Sequence, residues 1–313
     1  SSTDIAADVT GSFRSGFNTK GAISSKGPGS WVQGPNYPNG PYGHTAGGTQ
    51  NAILKWGGYS ADSTYTDAFD GVAWSGRADL PWKSCSNERA GTQDDMLAMR
   101  GKMSGSASYV GSICNASIHY NGISWSQRAY LNANSATGTS TGFGISNAAI
   151  ANKATPTEEY DGISWFYANG SQIQRQGGTA TGIVNAGIVG AGYPSSNHGC
   201  STELYDGNSW TVGPKASTCR NGGMIAGTQN DAITFGGEGG GYNTEAWDGT
   251  SWSILGDGPQ FYYGGSGAGV GGSANTFGLR AGGMYLWLWN GADYQTTASL
   301  GIVTPTKGIN TDT

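Results

Sequence analysis

A six-residue motif recurs along the chain at a nearly constant spacing, and this repeat limits the folds that the sequence can adopt. The motif is an aromatic residue, Asp or Asn, Gly, a variable residue, Ser or Ala, and a closing aromatic residue. Its copies begin at Phe69, Tyr120, Tyr160, Tyr205, Trp247 and, more weakly, Trp289, and Gly29-Ser30-Trp31 is a partial copy. From Trp31 to Tyr294 the closing aromatic residues are 43, 51, 40, 45, 42 and 42 residues apart. A period of this length is typical of repeats that stack on one another.

A second element keeps the same rhythm: Gly, two variable residues and Asn or Asp precede a short apolar stretch. Its copies begin at Gly48, Gly91, Gly144, Gly182, Gly227 and Gly272. Several of the apolar stretches end in glycines, as in Gly57-Gly58 and Gly236-Gly237. Asp-Gly or Asn-Gly between aromatic runs predicts a hairpin with a type I′ turn, which needs positive φ at both central residues. The Gly-x-x-Asn/Asp element predicts a second turn.

Two turns per unit predict an all-β β-propeller with about four short antiparallel strands per blade. Glycine supplies 56 of the 313 residues and charged residues only 12%, and 11 Trp, 16 Tyr and 8 Phe provide apolar area for a core. Six full units favour six blades, and seven is the alternative, with residues 1–30 and 295–313 pairing to complete a blade. Packing between blades is expected of the closing tryptophans Trp31, Trp74, Trp125, Trp165, Trp210 and Trp252.

The amino-acid sequence of the units resembles the kelch repeat of kelch-type β-propellers, in which paired glycines precede Glu-x-Tyr-Asp-Gly-x-Ser-Trp. It is similar to a kelch-like subset frequent in bacteriophage virion proteins. The resemblance extends over residues 28–294 and is strongest in Gly48–Gly58, Thr157–Trp165, Ser201–Trp210 and Gly227–Trp252.

The two ends of the chain lie outside the repeat. Residues 1–27 form a separate leader, and Ile5–Phe17 resembles the Gly-Ser-Phe-rich leaders of some phage fibre proteins. Such a leader would dock the propeller onto a virion; the alternative is a further blade strand or a frayed terminus. Residues 295–313 are a tail that is expected to take part in closing a blade. No secretory signal begins at Ser1, so it was either removed or never used.

The charge and the cysteine content of the chain limit the binding partners and the cysteine pairings that can be expected. The net charge is −5 and there is no basic patch, so nucleic acid is not expected as a partner. The sequence lacks an apolar run of the ~18 residues that a membrane helix needs, so membrane insertion is not expected. Cys85, Cys114, Cys200 and Cys219 allow two disulfides, with Cys200–Cys219 the closest pair, or four free thiols.

The sequence predicts no catalytic site, metal or cofactor. His44, His119 and His198 lie in different units, unlike the converging ligands of a galactose-oxidase-type propeller. His119 is predicted to be a cross-strand residue, and His44 and His198 surface loop residues. Glu158, Glu159, Glu203 and Glu245 recur at similar positions in separate blades, which indicates structural or rim roles and not the facing pair of a glycosidase.

Binding is the more plausible activity, because propeller loops gather at the two faces of the disc. Aromatic rings near Asn and Asp suit carbohydrate, through stacking and hydrogen bonds. The candidates for binding a glycan or a partner are Trp82, Tyr193, Tyr242, Phe261, Tyr262 and Tyr263. The alternative for each of these rings is that it fills the space between blades.

The sequence therefore predicts a non-enzymatic structural protein on the exterior of a phage particle, as a tail-fibre, head-fibre or decoration component. It would be assembled in the host cytoplasm and contact other virion proteins of the capsid or tail, host-surface glycans and further copies of itself. The alternatives are a secreted propeller lectin of a cell and, third, a galactose-oxidase-like or glycan-active enzyme. Fold analogy alone does not separate them.

Overall fold

The fold is an all-β propeller whose blades are four-stranded antiparallel sheets. The computed structural model describes residues 31–39, 44–58, 64–85, 87–104, 112–113, 115–133, 141–152, 156–175, 178–192, 199–237, 239, 243–258, 266–268, 277–280 and 285–289. Within these ranges no helix is long and apolar enough to cross a membrane. The proposed leader and tail, residues 1–27 and 295–313, lie outside them.

The described residues form 27 strands. In chain order they are β1 (Trp31–Gln33), β2 (Thr45–Thr49), β3 (Ala52–Trp56), β4 (Thr66–Phe69), β5 (Trp74–Gly76), β6 (Lys83–Cys85), β7 (Glu88–Thr92), β8 (Asp95–Met99), β9 (Lys102–Ser104), β10 (Ser112–Ile113), β11 (Ser117–Tyr120), β12 (Trp125–Gln127), β13 (Thr141–Ile145), β14 (Ala148–Asn152), β15 (Thr157–Tyr160), β16 (Trp165–Ala168), β17 (Thr179–Ile183), β18 (Ala186–Gly190), β19 (Thr202–Tyr205), β20 (Trp210–Gly213), β21 (Met224–Thr228), β22 (Asp231–Phe235), β23 (Asn243–Trp247), β24 (Trp252–Asp257), β25 (Ser266–Ala268), β26 (Phe277–Arg280) and β27 (Tyr285–Trp289).

Five four-stranded sheets are each built from one stretch of chain. We name them sheets 1 to 5, and their strands are β2–β5, then β7, β8, β11 and β12, then β13–β16, β17–β20 and β21–β24. A sixth, sheet 6, joins both ends of the described chain in the order β1-β27-β26-β25, with Trp31 opposite Trp289. The partial motif that ends at Trp31 thus supplies the outer strand of the last sheet and does not begin a separate one.

The longer second unit is explained by an additional small sheet. Strands β6, β9 and β10 pair with one another outside the four-stranded sheets. β9 and β10 lie between the second and third strands of sheet 2, and β6 precedes that sheet in the chain. This addition accounts for the 51-residue spacing between Trp74 and Trp125, where the other spacings are 40 to 45.

The first strands of neighbouring sheets contact one another in a closed cycle, β2 to β7, β13, β17, β21, β25 and back to β2. Small residues in these strands allow the close approach. A Cβ added at Gly47 would lie 2.5 Å from Met96 Cε, and one added at Gly142 would lie 2.6 Å from Met99 Cε. The glycine content of the sequence is therefore partly a packing requirement near the axis.

The apolar core is divided among the boundaries between sheets. Six clusters of buried side chains each join two neighbouring sheets, such as Leu54 and Trp56 of sheet 1 with Met96 and Tyr120 of sheet 2. Trp289 of sheet 6 joins the cluster that contains Phe235 of sheet 5. Each sheet therefore buries its apolar side chains against two neighbours.

The two turns of each unit differ from each other. In the first, two residues join paired strands, as between Thr49 and Ala52, and the preceding glycines have φ between 109° and 121°. In the second turn, four residues lie between two aromatic residues that are opposite each other on paired strands, such as Tyr160 and Trp165. Its glycines have φ between 88° and 98°, and the Asp or Asn before each does not have positive φ. The predicted type I′ turn at Asp-Gly is therefore wrong.

Gly227→Ala should destabilise the protein, because φ is +121° at this position and a Cβ would collide with the carbonyl oxygen of Asp231. Backbone strain of this kind costs about 1–3 kcal/mol. Gly76→Ala is the matched control, since a Cβ there meets no atom within 4 Å, and it should change stability by less than about 0.5 kcal/mol. Urea unfolding of both variants tests this; equal effects would contradict it.

Candidate functional site

The hairpin turns of sheets 1 to 5 lie at one side of the propeller, and we call this surface the turn face. Successive connections of a four-stranded antiparallel sheet alternate between its two ends. The first and third connections therefore emerge at the same end. A Cβ added at Gly71 would lie 3.4 Å from Asn51 Cβ, and one added at Gly207 would lie 3.0 Å from Asn185 Cβ. In sheets 1 and 4 the two turns of the unit therefore pack against each other.

In sheets 1 to 5 an Asp or Asn side chain holds the second turn in the same conformation. Asp161 Oδ1 accepts hydrogen bonds from the backbone N–H groups of Ile163 and Ser164, both at 2.8 Å. Asn121 Oδ1 accepts the equivalent bonds at 3.0 and 2.9 Å. The same pair of bonds is made by Asp70, Asp206 and Asp248. This local capping replaces the predicted turn type.

These hydrogen bonds favour the ionised carboxylate. The backbone N–H groups of Ser164 and Ile163 hold the pKa of Asp161 below its usual range, and equivalent donors do so for Asp70 and Asp206. At Asp248 the hydroxyl of Thr250 is the largest cause, and with the backbone donors it lowers the pKa to about 2. The turn face therefore carries ionised carboxylates at neutral pH.

The residue after Gly in the second turn points outward and differs among units. Val72 is 80% exposed, Ile123 79% and Ile163 83%, and the equivalent residues of sheets 4 and 5 are the exposed polar residues Asn208 and Thr250. Three apolar side chains are thus displayed by sheets 1 to 3 on a common backbone. Exposed β-branched side chains gain nothing from folding at these positions, so the fold alone does not explain them.

Buried carboxylates lie near the opposite ends of the third strands. Glu203 accepts hydrogen bonds from the backbone N–H groups of Gln172 and Ile173 at 2.6 and 3.2 Å and forms an ion pair with Arg175 at 2.7 Å. Glu245 binds Ser217 and Thr218 in the same way and pairs with Arg220 at 3.0 Å. Each carboxylate therefore holds the connector between two sheets and the cation that follows it.

Other sheets supply a cation from a different place. Arg100 lies after β8 and pairs with Glu88 and Glu158, and Lys55 on β3 pairs with Asp67. Burial lowers the pKa of the Arg175, Arg220 and Lys55 side chains, and the facing carboxylates oppose that shift. Glu159, by contrast, is only partly buried, and burial raises its pKa. It does not share the position of Glu158, Glu203 and Glu245.

The six closing tryptophans lie at boundaries between sheets. Their indole N–H groups donate across the boundary in five cases: Trp125 to Thr66, Trp165 to Ser117, Trp210 to the Asn169 carbonyl, Trp252 to Thr202 and Trp31 to Thr244. Trp74 donates to the carbonyl of Pro35, which follows β1. A hydroxyl or carbonyl of the neighbouring unit therefore accepts a hydrogen bond from each of these six indoles.

A glutamine in the first turn provides a second bond between sheets. Gln93 Nε2 donates to the carbonyls of Ile53 and Phe69 at 2.9 and 2.7 Å. Gln229 Nε2 donates to those of Gly187 and Tyr205, and Gln50 Nε2 to that of Trp289. Gly-Thr-Gln recurs in the first turn at Gly48, Gly91 and Gly227 and is the sequence signal for these bonds. The pattern Gly-x-x-Asn/Asp alone predicts only the turn.

The histidines are placed by local contacts. His119 lies opposite Leu97 and Ser126 on neighbouring strands; its Nε2 is 2.5 Å from Asp95 Oδ1, and Arg128 donates to its Nδ1 at 2.8 Å. His44, predicted to lie in a surface loop, is buried beside the ring of Tyr37, so that prediction is wrong. His198 lies outside the described residues, which contain no group of three His, Cys, Asp or Glu placed to hold a metal ion.

One of the six aromatic binding candidates lies within the described part of the chain. Trp82 is partly buried and packs against the cluster between sheets 1 and 2. The others, Tyr193, Tyr242, Phe261, Tyr262 and Tyr263, lie outside the described residues, and their role stays a prediction. Cys200 and Cys219 form a disulfide, Cys85 is buried, and Cys114 lies outside the described residues.

Comparison with known proteins supports the fold class. No protein-family model matches the chain, and no curated protein sequence does. The solved structure of YjhT is similar to it with a TM-score of 0.64 and 14% sequence identity, over 82% of this chain and 95% of that one. YjhT is a propeller, so the likeness supports the propeller fold. It carries no activity over to this chain.

Glu203→Gln should strongly destabilise the protein, because it leaves the Arg175 guanidinium buried opposite a neutral amide. Removing one partner of a buried ion pair costs about 3–5 kcal/mol. Glu159→Gln is the same change at a partly exposed carboxylate, and it should cost less than about 1 kcal/mol. Denaturant unfolding measures both; a small loss for Glu203→Gln would show that this pair does not hold the connector.

Acid should weaken the second turn of sheet 5. Because the pKa of Asp248 is lowered to about 2 in the folded protein, its contribution is present above the unfolded pKa of about 3.9 and is lost as pH falls toward 2. Asp248→Asn, which copies the native Asn121, should flatten the dependence of stability on pH between about 4 and 2. Asp79→Asn, at an exposed carboxylate outside these turns, is the control. Parallel curves for Asp248→Asn and the wild type would contradict this assignment.

Proposed function

We propose that the chain is a non-enzymatic binding propeller on the exterior of a phage particle, and that it contacts its partner through the turn face. One observation carries the proposal: five second turns share one backbone conformation, while the outward residue changes from Val72, Ile123 and Ile163 to Asn208 and Thr250. A common scaffold with different displayed side chains is what a recognition surface requires.

The buried carboxylates favour a scaffold over an enzyme. A general acid or base must reach its substrate, whereas Glu203 and Glu245 are fully buried and bind backbone N–H groups and a guanidinium. The same arrangement holds at Glu158. These acids therefore serve the connections between sheets, consistent with a structural protein.

We infer the partners from the chemistry of the turn face and from the sequence of the repeat. Apolar tips beside ionised carboxylates suit a protein surface, so other virion proteins of the capsid or tail are the first partners. Host-surface glycans are the second, through the aromatic candidates given above. The kelch-like and phage-like wording of the units supports this location on the particle.

We also propose six blades. Sheet 6 has the same four-stranded antiparallel pairing as sheets 1 to 5, and the first strands form a closed cycle that includes β25. Strand β1 then closes the ring by adding the outer strand to the last blade, which leaves no open sheet boundary.

A secreted propeller lectin is the second candidate, favoured by the Cys200–Cys219 disulfide, because disulfides persist in oxidising surroundings. The exterior of a virion is such a surrounding as well. The two candidates differ in where the protein is found.

Immunogold electron microscopy of particles purified from the source, with antibody to this chain, tests the location. Label at regular positions on virions is expected, and the position would separate head decoration from tail fibre. Label absent from every particle, with the protein free in the medium, would overturn the virion proposal and favour the lectin.

The turn face is tested by adding purified protein to particles that lack it and measuring co-sedimentation. A triple variant, Val72→Ser, Ile123→Ser and Ile163→Ser, is expected to reduce retention at least tenfold. The control changes Val32, Val212 and Ile254 to Ser, three residues on outer strands that are 52%, 49% and 58% exposed, and retention should stay within twofold. Equal retention of both variants would exclude the turn face as the contact.

A further inference from the structure

A cavity of about 120 Å³ lies between the first strands of sheets 1 to 5, at the ends of these strands that meet the turn face. Its wall includes Thr92, Ile145, Ile183 and Thr228, which are the last residues of their strands before the first turns. Ile145 and Ile183 are 47% and 50% exposed. The cavity therefore opens on the turn face, and these two isoleucines lie at its mouth.

The wall of the cavity is mainly apolar. Besides Arg89, which is half-buried, the residues that line it are glycine, alanine, threonine, isoleucine and one phenylalanine. Two of the threonine hydroxyls are engaged within the protein: Thr181 donates to the carbonyl of Gly227 at 2.7 Å, and Thr228 accepts the N–H of Asp231 at 3.1 Å. An apolar cavity of about 150 Å³ holds benzene, so this cavity has room for one aliphatic side chain.

The repeat does not require isoleucine at the mouth of the cavity. The residue after the positive-φ glycine of the first strand is Thr49, Thr92 and Thr228 in sheets 1, 2 and 5, and it is Ile145 and Ile183 in sheets 3 and 4. Threonine and isoleucine are both β-branched, so either suits the same strand. A half-exposed isoleucine buries little apolar area on folding. These two residues therefore add apolar surface at the mouth that the fold alone does not need.

The turns around the mouth carry negative charge. The first and second turns of sheets 1 to 5 contain no Lys, Arg or His, and they contain Asp70, Asp94, Asp161, Asp206 and Asp248. The hydrogen bonds described above keep the capping Asp residues among them ionised. Arg77 and Arg128 follow the outer strands β5 and β12, at the rim of the propeller. A segment that binds at the mouth is therefore expected to bring cations of its own.

We infer that the cavity takes one aliphatic side chain of the partner protein, from a segment in which Lys or Arg flanks that side chain. An apolar anchor in a pocket at the centre of an interface is the usual source of affinity, and the charges around it provide orientation and specificity. The aliphatic side chain lies between Ile145 and Ile183, and the flanking cations face the carboxylates of the turns. This inference rests on the function proposed above, to which it adds the chemistry of the segment that the turn face recognises.

Saturation-transfer difference NMR with the full chain and blocked tripeptides tests the site without the particle. The leucine methyl groups of Lys-Leu-Lys are expected to show saturation, whereas Lys-Ser-Lys, which lacks the aliphatic side chain, and Glu-Leu-Glu, which reverses the charge, should bind at least about fivefold more weakly. Thr92→Trp adds a large ring at the mouth and should abolish the leucine signal although it adds apolar area. Ile254→Trp is the same change to Trp on an outer strand, at a residue that is 58% exposed, and it should keep the signal. If Lys-Leu-Lys shows no saturation, or if Thr92→Trp leaves it unchanged, the inference is wrong.

Retention on particles that lack the chain separates this inference from the proposed function. Ile145→Thr with Ile183→Thr copies the residues of sheets 1, 2 and 5, so this double variant is expected to fold, with an unchanged circular dichroism spectrum, and to be retained about tenfold less. Val212→Thr with Ile254→Thr is the matched control, and its retention should stay within about twofold.

The combination of results assigns any failure. If the variant of the three turn tips loses retention and the double variant at the mouth does not, the turn face binds the particle and the inference about the cavity is wrong. If the wild type is not retained on particles but binds Lys-Leu-Lys at the mouth, the proposed location is wrong and the site stands.

Two other occupants of the cavity are tested with the free chain. The carbonyl of Trp289 accepts a hydrogen bond from Gln50 in the first turn of sheet 1, so the chain continues from the turn face into residues 290–313. Faster proteolytic removal of those residues from the double variant than from the wild type would assign the cavity to the chain's own end. Conversion of a dimer to a monomer in analytical ultracentrifugation would assign it to a second copy. Either result would overturn the inference, and neither change is expected.

Discussion

Each four-stranded sheet in this propeller depends on the sheets on either side of it, because its apolar side chains are buried only at the two boundaries. Trp125 of sheet 2 illustrates the dependence: its ring packs 5.7 Å from that of Trp56, and its N–H donates to Thr66 of sheet 1. Gln93 adds two hydrogen bonds to carbonyls of the same neighbour. Removal of one sheet would expose faces of two others, so the ring is stable only when closed. Closure by β1 is therefore a condition for the whole fold.

The buried ion pairs act on the path of the chain more than on the total stability. The free energy needed to desolvate two charges offsets much of the attraction between them, so a buried ion pair is weak evidence for stability. What Glu203 and Glu245 specify is geometry: each carboxylate binds two backbone N–H groups of a connector and the arginine beyond it. The same contacts explain why recurring acids in this chain are poor candidates for catalysis, since their lone pairs are already used.

The repeat made the sheets predictable, because two turns per unit and a period near 43 residues allow few arrangements other than stacked blades. The four-residue loop was not predictable from Asp-Gly alone, since capping by the Asp161 side chain competes with the type I′ turn and wins. Only one partner of each buried ion pair was predictable from the sequence, because the acids recur at one position of the repeat. Their cations do not: Lys55 lies on β3, Arg100 follows β8, and the others lie in connectors between sheets. Burial of His44 depends on Tyr37, a contact that no local pattern encodes.

In a chain built of repeats, positions that all units share are explained by the fold, and positions where one unit departs call for another cause. By that criterion the closing tryptophans, the capping Asp residues and the positive-φ glycines belong to the scaffold. Val72, Ile123 and Ile163 depart from the polar residues of sheets 4 and 5 at the most exposed point of the turn. This departure does not improve packing, because Val72, Ile123 and Ile163 are each about 80% exposed, and it places them where a partner can contact them. The turn face is therefore the region of this propeller that is open to selection for function.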